Sequence, residues 1–148
     1  MNILFQTIQC NNLGTGQIGI TPLTLIKSGT IFYSFKHLTP SINTPFSFQI
    51  TKDKYLRDPK IISKTNHSCD PNIIVNTANK TCIAIKDILP GEMLTYFYPS
   101  TEWDEMNRPF ACLCGSKNCI KVVNGAKTIS SVTLKKYFLN DFILDLLD

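Results

Sequence analysis

Between residues 112 and 119 the chain reads Cys-Leu-Cys-Gly-Ser-Lys-Asn-Cys, three thiols in eight residues around a glycine. This cluster restricts the fold more than any other feature. Gly115 lets the backbone turn back on itself, so Cys112, Cys114 and Cys119 can face one ion. A coincidental group of buried thiols would need no such turn. A structural zinc site takes four ligands, and the local sequence offers three. Cys10, Cys69, Cys82, His37 and His67 are the candidates for the fourth. No C-x-x-C pair is present, so the cluster does not read as a redox centre.

The compartment argument points the same way. Six cysteines in 148 residues are too sparse for a small disulfide scaffold. Met1 to Asn12 has no basic n-region, no long apolar stretch and no small-residue cleavage site. No window approaches a membrane-spanning run. The expectation is a cytoplasmic or nuclear protein with reduced thiols and no membrane partner. With 43% hydrophobic and 18% charged residues, one folded domain is the expected organisation. The net charge of +4 is mild, and no direct nucleic-acid contact is expected from it.

Most of the chain reads as short strands with polar breaks. Ile18 to Ile26 and Thr30 to Phe35 are strand-like, and Ser28-Gly29 between them suggests a hairpin. Ile73 to Val75, Thr81 to Ile85 and Met93 to Tyr98 are further runs, with Asn76 to Lys80 and Pro90-Gly91 as turns. Residues 36–60 carry three prolines and a weak pattern, and are expected to be an irregular insert with one short helix. Thr133 to Leu147 places Leu134, Phe138, Phe142 and Leu146 at helical spacing, with Tyr137, Ile143 and Leu147 widening the stripe. Ser130, Ser131 and Thr133 are its N-cap candidates, and a packing helix without chemistry is the expectation.

Asn66-His67-Ser68-Cys69-Asp70-Pro71-Asn72 is a polar stretch lodged between apolar runs. It has to bond inward, cap an element or bind a ligand. By itself it is accounted for by an Asx-type turn closing at Asp70-Pro71. Farther on, Pro90-Gly91-Glu92-Met93-Leu94-Thr95-Tyr96-Phe97-Tyr98 is a turn feeding a strand that ends in Tyr98. Together with the thiol cluster, these segments resemble the SET-domain protein lysine methyltransferases. That family has an N-H-S-C-x-P-N turn, a G-E-x-L-T-x-x-Y strand and a C-x-C-x4-C post-SET zinc motif, in this order. Gly19, ten residues before Gly29, matches the second glycine of the family's G-x-G turn, with Gln17 at the first. Gly14 and Gly16 form another G-x-G, too far from Gly29 to match. The likeness runs roughly from Gly14 to Ile120, and Pro99 to Asp104 looks like that of short stand-alone members. The cysteine-dense pre-SET region of some chromatin-directed members has no counterpart in this sequence.

The resemblance implies a mainly β fold with short helices, the SET or β-clip fold, in which the Asn66-His67 turn and the Tyr98 strand meet in a pseudoknot. It implies a SET domain over 1–110, a zinc-bound post-SET segment over 111–121 and a helical extension over 122–148. S-adenosylmethionine and zinc are the implied cofactors. Asn66, with the backbone of Ile18, Gly19 and His67, would hold the methyl donor, and Leu113 would pack on its adenine. Tyr98 would orient methyl and amine. Tyr96, Trp103 and Phe110, with Phe97 and Tyr98, would wall an apolar lysine channel. A free lysine has a pKa of about 10.4, and such a channel disfavours the ammonium form that cannot accept a methyl group. By the same resemblance, Tyr96 would limit the product to mono- or dimethyl-lysine. Cys69 would complete the zinc site with Cys112, Cys114 and Cys119, leaving Cys10 and Cys82 free.

The implied partner is a lysine-bearing protein or peptide, a histone being the family's usual substrate. Glu92, Glu102, Asp104 and Glu105 would steer it, since no basic residue occurs from Gly91 to Asn107. The alternative is a catalytically silent SET-like module that binds protein or peptide. Gln17, and Phe97 where the family has Asp or Asn, favour that alternative. Tyr98, Asn66 and His67 favour the enzyme. A zinc-dependent nucleic-acid binder would need a basic cluster, which the sequence is not read as having.

Overall fold

A computed structural model describes residues 3–10, 18–104 and 108–148. Gly14, Gly16, Gln17 and Glu105 lie outside the described residues. The expected mainly β architecture with short helices is what the chain adopts, and the described residues form five small sheets. β1 (Phe5–Gln9) pairs antiparallel with β2 (Ile18–Pro22). β3 (Ile31–Ser34), β8 (Ile73–Asn76) and β9 (Thr81–Ala84) form a sheet in the order β3-β9-β8. β4 (Thr39–Ser41), β5 (Phe48–Thr51) and β6 (Lys54–Arg57) form another in the order β4-β6-β5. β7 (Asn66–His67) pairs with β10 (Thr95–Tyr96), and β11 (Phe110–Ala111) with β12 (Val122–Val123).

The main core is built where the sheets meet. Phe35, Phe48, Ile73, Val75, Ile88 and Leu94 are all 1% exposed or less and belong to one cluster. A second cluster, centred on Phe97, Leu134 and Ile143, joins the C-terminal helices to the body. None of these helices is long and apolar enough to cross a membrane.

Three expectations need correction. Ile18 to Phe35 is not a hairpin: β2 pairs with β1, Ile20 standing opposite Thr7, and β3 pairs with β9, while Ile20 and Ile26 are both buried in the main core. Ile26 bridges Ile88 instead of continuing the strand. Residues 36–60 are not irregular and hold no helix. Pro40 sits on the edge strand β4, where a missing N–H costs no ladder bond, and Phe48 and Gln49 anchor β5 inward.

The third correction is at the C-terminus. One helix over 133–147 is replaced by α1 (Ser131–Leu134), capped by Ser130, and α2 (Asp141–Leu147). The break spans Lys135 to Asn140, and Asn140, at the N-cap of α2, is 2% exposed. Its amide donates to the carbonyls of Val75 (3.0 Å) and Ser100 (2.9 Å), while its Oδ1 accepts from the N–H (2.8 Å) and hydroxyl (3.0 Å) of Thr77. Four tertiary bonds outweigh continuing a short helix. Phe138, counted in the helical stripe, is consequently 37% exposed.

Candidate active site

The site is organised by the crossing of β7 and β10, which run parallel with Asn66 opposite Thr95 and His67 opposite Tyr96. Parallel neighbours cannot be joined by a tight turn, so residues 68–94 loop out through the β8–β9 hairpin and return. Asn72 locks the return. Its amide donates to the Met93 carbonyl (2.9 Å) and its Oδ1 accepts the Thr95 N–H (2.8 Å). Sequence reading gave Asn72 no role beyond its place in the polar turn, and only that turn hinted at one.

Past β10, Pro99 helps fold Tyr98–Ser100 into a single 3-10 turn rather than the continuing strand expected. Tyr98 donates its hydroxyl to the Thr65 carbonyl at 2.9 Å, so the ring spans from β10 to the residue before β7. Its ring lies 4.8 Å from Tyr96, 5.4 Å from His67 and 6.0 Å from Phe110. Tyr96, Tyr98 and Phe110 are thus brought together around His67. Trp103 packs instead with the cluster of the C-terminal helices.

His67 has a side-chain role that the motif did not disclose. Its Nδ1 accepts the Tyr98 N–H at 3.1 Å, and its Nε2 lies 3.3 Å from Cys69 Sγ. A neutral ring that accepts at Nδ1 carries its proton on Nε2, which then donates to sulfur. Burial pulls the imidazole down to about 4, which keeps it neutral at physiological pH.

On the other side of β7, the Asn66 amide donates to the Ile18 carbonyl at 2.9 Å. Gly19 sits so close that a Cβ would lie 2.7 Å from Met93 Sδ, 2.8 Å from Cys10 Sγ and 3.2 Å from Asn66 Nδ2. Only a glycine lets β2 approach Asn66 this closely. Ile18, Gly19, Asn66 and His67 therefore adjoin, as a backbone-lined cleft for a polar ligand requires.

Cys69, Cys112, Cys114 and Cys119 bring their Sγ atoms within 4.8 Å of one another. Gly115 adopts φ 71°, the left-handed turn that the cluster needs. The N–H groups of Ile120 and Lys121 point at Cys69 and Cys119 Sγ, both at 3.4 Å, as donors to thiolate sulfur do. Burial pushes the Cys69 thiol up to about 11 and raises Cys112 as well. At Cys114 burial is outweighed by bonds from the backbone of Ser116 and Cys69 and from neighbouring thiols, which draw it down to about 7. Four sulfurs with backbone donors are a donor set suited to zinc. Cys82 is sealed in the main core, and Cys10 lies against Met93, so neither joins the group. Leu113, between two of the thiols, is 60% exposed and free to cover an apolar ligand face.

Phe97 stacks on Tyr137, with centroids 3.7 Å apart and planes within 5°. Tyr137 also donates its hydroxyl to the Cys69 carbonyl at 2.7 Å. The described acidic residues are engaged locally rather than forming an open face. Glu92 accepts the Leu89 N–H, Asp104 pairs with Lys127, and Glu102 is 5% exposed.

Residues 17–99 match the SET domain family. The chain is 40% identical over 84 residues to the methyltransferase flvH of Aspergillus flavus, covering 55% of this chain and 47% of that protein. It is 34% identical over 99 residues to an H3 lysine-4 specific histone-lysine N-methyltransferase of Emericella nidulans, covering 60% of this chain and 8% of that one. The chain therefore spans under half the length of the curated relatives it matches here. Among solved structures, the methyltransferase domain of human SETMAR, a histone-lysine N-methyltransferase, superposes with a TM-score of 0.62 at 19% identity, covering 84% of this chain and 59% of that one. KRYPTONITE, solved with DNA, an H3 peptide and SAH, gives 0.59 at 19% identity over 82% of this chain and 30% of that one. More than half of the sequence matches, the polar turn and the Tyr98 turn meet through parallel strands, and the fold is shared: this chain belongs to the SET-domain family.

Proposed function

We propose that the protein transfers a methyl group from S-adenosylmethionine to the ε-amine of a lysine in a protein substrate, a histone being the first to test. The observation carrying this reading is the β7–β10 crossing, which sets Asn66 and Gly19 on one side of His67 and the Tyr96–Tyr98 pair on the other. Methyl transfer needs that juxtaposition. The relatives support it, since one is a methyltransferase and another a histone-lysine N-methyltransferase.

S-adenosylmethionine supplies an electrophilic methyl on a sulfonium. Asn66, with the backbone of Ile18, Gly19 and His67, would hold its amino-acid and adenine ends, and Leu113 would cover the adenine. Tyr96, Phe110 and Tyr98 would line the lysine path, where apolar walls favour the neutral amine, and Trp103 would support that wall from the C-terminal cluster. The Tyr98 hydroxyl, pinned by Thr65, would orient the amine toward the methyl, an orientation effect rather than base catalysis. Cys69, Cys112, Cys114 and Cys119 would hold zinc. The metal would tie the wall formed by Phe110 and Leu113 to the end of β7.

The test is mass spectrometry of histone and peptide-array substrates incubated with S-adenosylmethionine. Tyr98→Phe should lower kcat by about a hundredfold or more, with cofactor binding by calorimetry intact. Full activity in that variant would sink the assignment of Tyr98. Failure of the native protein to bind the cofactor would sink the whole reading.

A further inference from the structure

Two sulfurs to which the methyl-transfer reading gives no role meet beside the cofactor cleft. Cys10 follows β1, and Met93 occupies an open position of the G-E-x-L-T-x-x-Y segment. Their sulfurs lie 3.5 Å apart, with the Cys10 thiol donating to the Met93 thioether. Burial raises the Cys10 thiol, so it keeps the proton that this bond needs.

The backbone delivers Met93 to this spot. Its carbonyl accepts from the Asn72 amide at 2.9 Å, and the next residue, Leu94, donates its N–H to the Ile20 carbonyl at 2.9 Å. The segment is thereby held between β2 and the polar turn, and the Met93 side chain enters the gap between Gly19 and Asn66. A Cβ on Gly19 would lie 2.7 Å from Met93 Sδ and 2.8 Å from Cys10 Sγ, so the glycine leaves the room that both sulfurs occupy.

The Asn66 amide nitrogen carries two hydrogens. It donates to the Ile18 carbonyl at 2.9 Å. Its other acceptor is sulfur, Met93 Sδ at 3.6 Å, with Cys10 Sγ behind it at 3.9 Å. These acceptors fix which end of the amide faces inward, because a flipped Asn66 would set Oδ1 against a carbonyl oxygen and a thioether. Among the described residues nothing donates to Oδ1.

We infer that Met93 is a positioning residue of the cofactor site: its thioether, with the Ile18 carbonyl, holds the Asn66 amide so that Oδ1 faces the cleft and accepts from the α-ammonium of the methyl donor. The inference rests on the methyl-transfer reading above. The orientation also selects within the donor's amino-acid end, since an outward oxygen takes the ammonium and repels the carboxylate. A thioether suits the place because it fills an irregular gap and still accepts a weak hydrogen bond. Leucine fills the same space and accepts nothing.

Met93→Leu is therefore the test, being a volume-conserving change at a half-buried position. Calorimetry compares S-adenosylhomocysteine with its deaminated analogue, which lacks only the α-amine. The native protein should bind the deaminated analogue at least about tenfold more weakly. Met93→Leu should weaken S-adenosylhomocysteine about three- to tenfold and leave the deaminated analogue within about twofold of native. Cys10→Ala, which removes the farther sulfur, should stay within about twofold of native for both ligands. The inference is overturned if Met93→Leu weakens both ligands equally, which would make Met93 packing alone, or if it weakens neither. It is overturned as well if Cys10→Ala loses as much as Met93→Leu, or if the native protein does not distinguish the two ligands. A native protein that binds no S-adenosylhomocysteine sinks the methyl-transfer reading and this inference with it.

Discussion

Replacing Asn140 with alanine tests whether the C-terminal helices are tied to the site or merely packed against it. The substitution removes four side-chain hydrogen bonds, all between 2.8 and 3.0 Å. Val75 is fully buried and Ser100 is 4% exposed, so their carbonyls cannot readily turn to water. The Ser100 oxygen keeps the backbone N–H of residue 140 at 3.2 Å, which limits the damage there. The Val75 carbonyl, losing this donor in the core, costs about 1–3 kcal/mol, and the other three bonds, at groups that keep a partner or reach water, about 1 kcal/mol together, so a total loss of about 2–4 kcal/mol is expected. For a chain of this size that lowers Tm by about 5–15 °C. Urea unfolding followed by Trp103 fluorescence, with the m-value unchanged, measures it. Asn140→Asp sharpens the test. It keeps the acceptor facing Thr77 but turns a carboxylate toward two carbonyls, which favours its protonated form. Its folded-state pKa is thereby raised, so the defect should be largest at neutral pH and shrink as pH falls and the carboxyl becomes a donor. A loss below about 0.5 kcal/mol for Asn140→Ala, or a pH-independent Asn140→Asp, would refute the reasoning.

Three further outcomes follow from single positions. At Gly125, where φ is 82°, an added Cβ would lie 2.6 Å from the Trp103 carbonyl carbon and 2.7 Å from Asp104 Cα. Gly125→Ala should cost about 2–4 kcal/mol by thermal melting, and a near-neutral result would contradict the close approach. Cys112→Ser should lower bound zinc to below half of native by atomic absorption. A strong chelator should produce the same loss in the native chain, with the Tyr98 region loosened in hydrogen exchange. Native protein purified without zinc would refute the metal assignment. Tyr96→Phe should shift product toward higher methylation by mass spectrometry, and trimethyl-lysine from the native enzyme would contradict the role given to Tyr96.

The sequence order of the polar turn, the Tyr98 segment and the thiol cluster made the crossing legible through the family resemblance that the three carry together; alone, the polar turn reads as an Asx-type turn. Local spacing leaves five candidates for the fourth ligand, the resemblance implies Cys69, and its sulfur does converge with those of the three later cysteines. What stayed illegible depends on distant partners. β2 and β3 have strand chemistry, but nothing local says that they belong to different sheets. The 36–60 insert alternates too weakly to announce a sheet, and its order comes from Phe48 and Gln49 finding the body. The helical stripe over 133–147 is real in sequence, yet Asn140 breaks it through bonds to residues 40 and 65 positions away.

That break changes what the C-terminal segment is for. A packing helix without chemistry would touch the body through apolar side chains alone. Here Tyr137 and Asn140, three residues apart, reach both arms of the crossing. Tyr137 bonds the Cys69 carbonyl just past β7 and stacks on Phe97 just past β10, while Asn140 holds the Ser100 end of the Tyr98 turn. Two parallel strands of two residues each make few ladder bonds, and the side chains of Asn72, His67 and Tyr98 supplement them across the crossing. The aromatic at position 97, unusual beside the family pattern, then has a physical reason: its ring is the face against which Tyr137 sits. Tyr137 and Asn140, outside the segment that matches the family, therefore add to the bonds that Tyr98 makes with His67 and Thr65 in holding the site, and the crossing and its C-terminal brace form one structural unit.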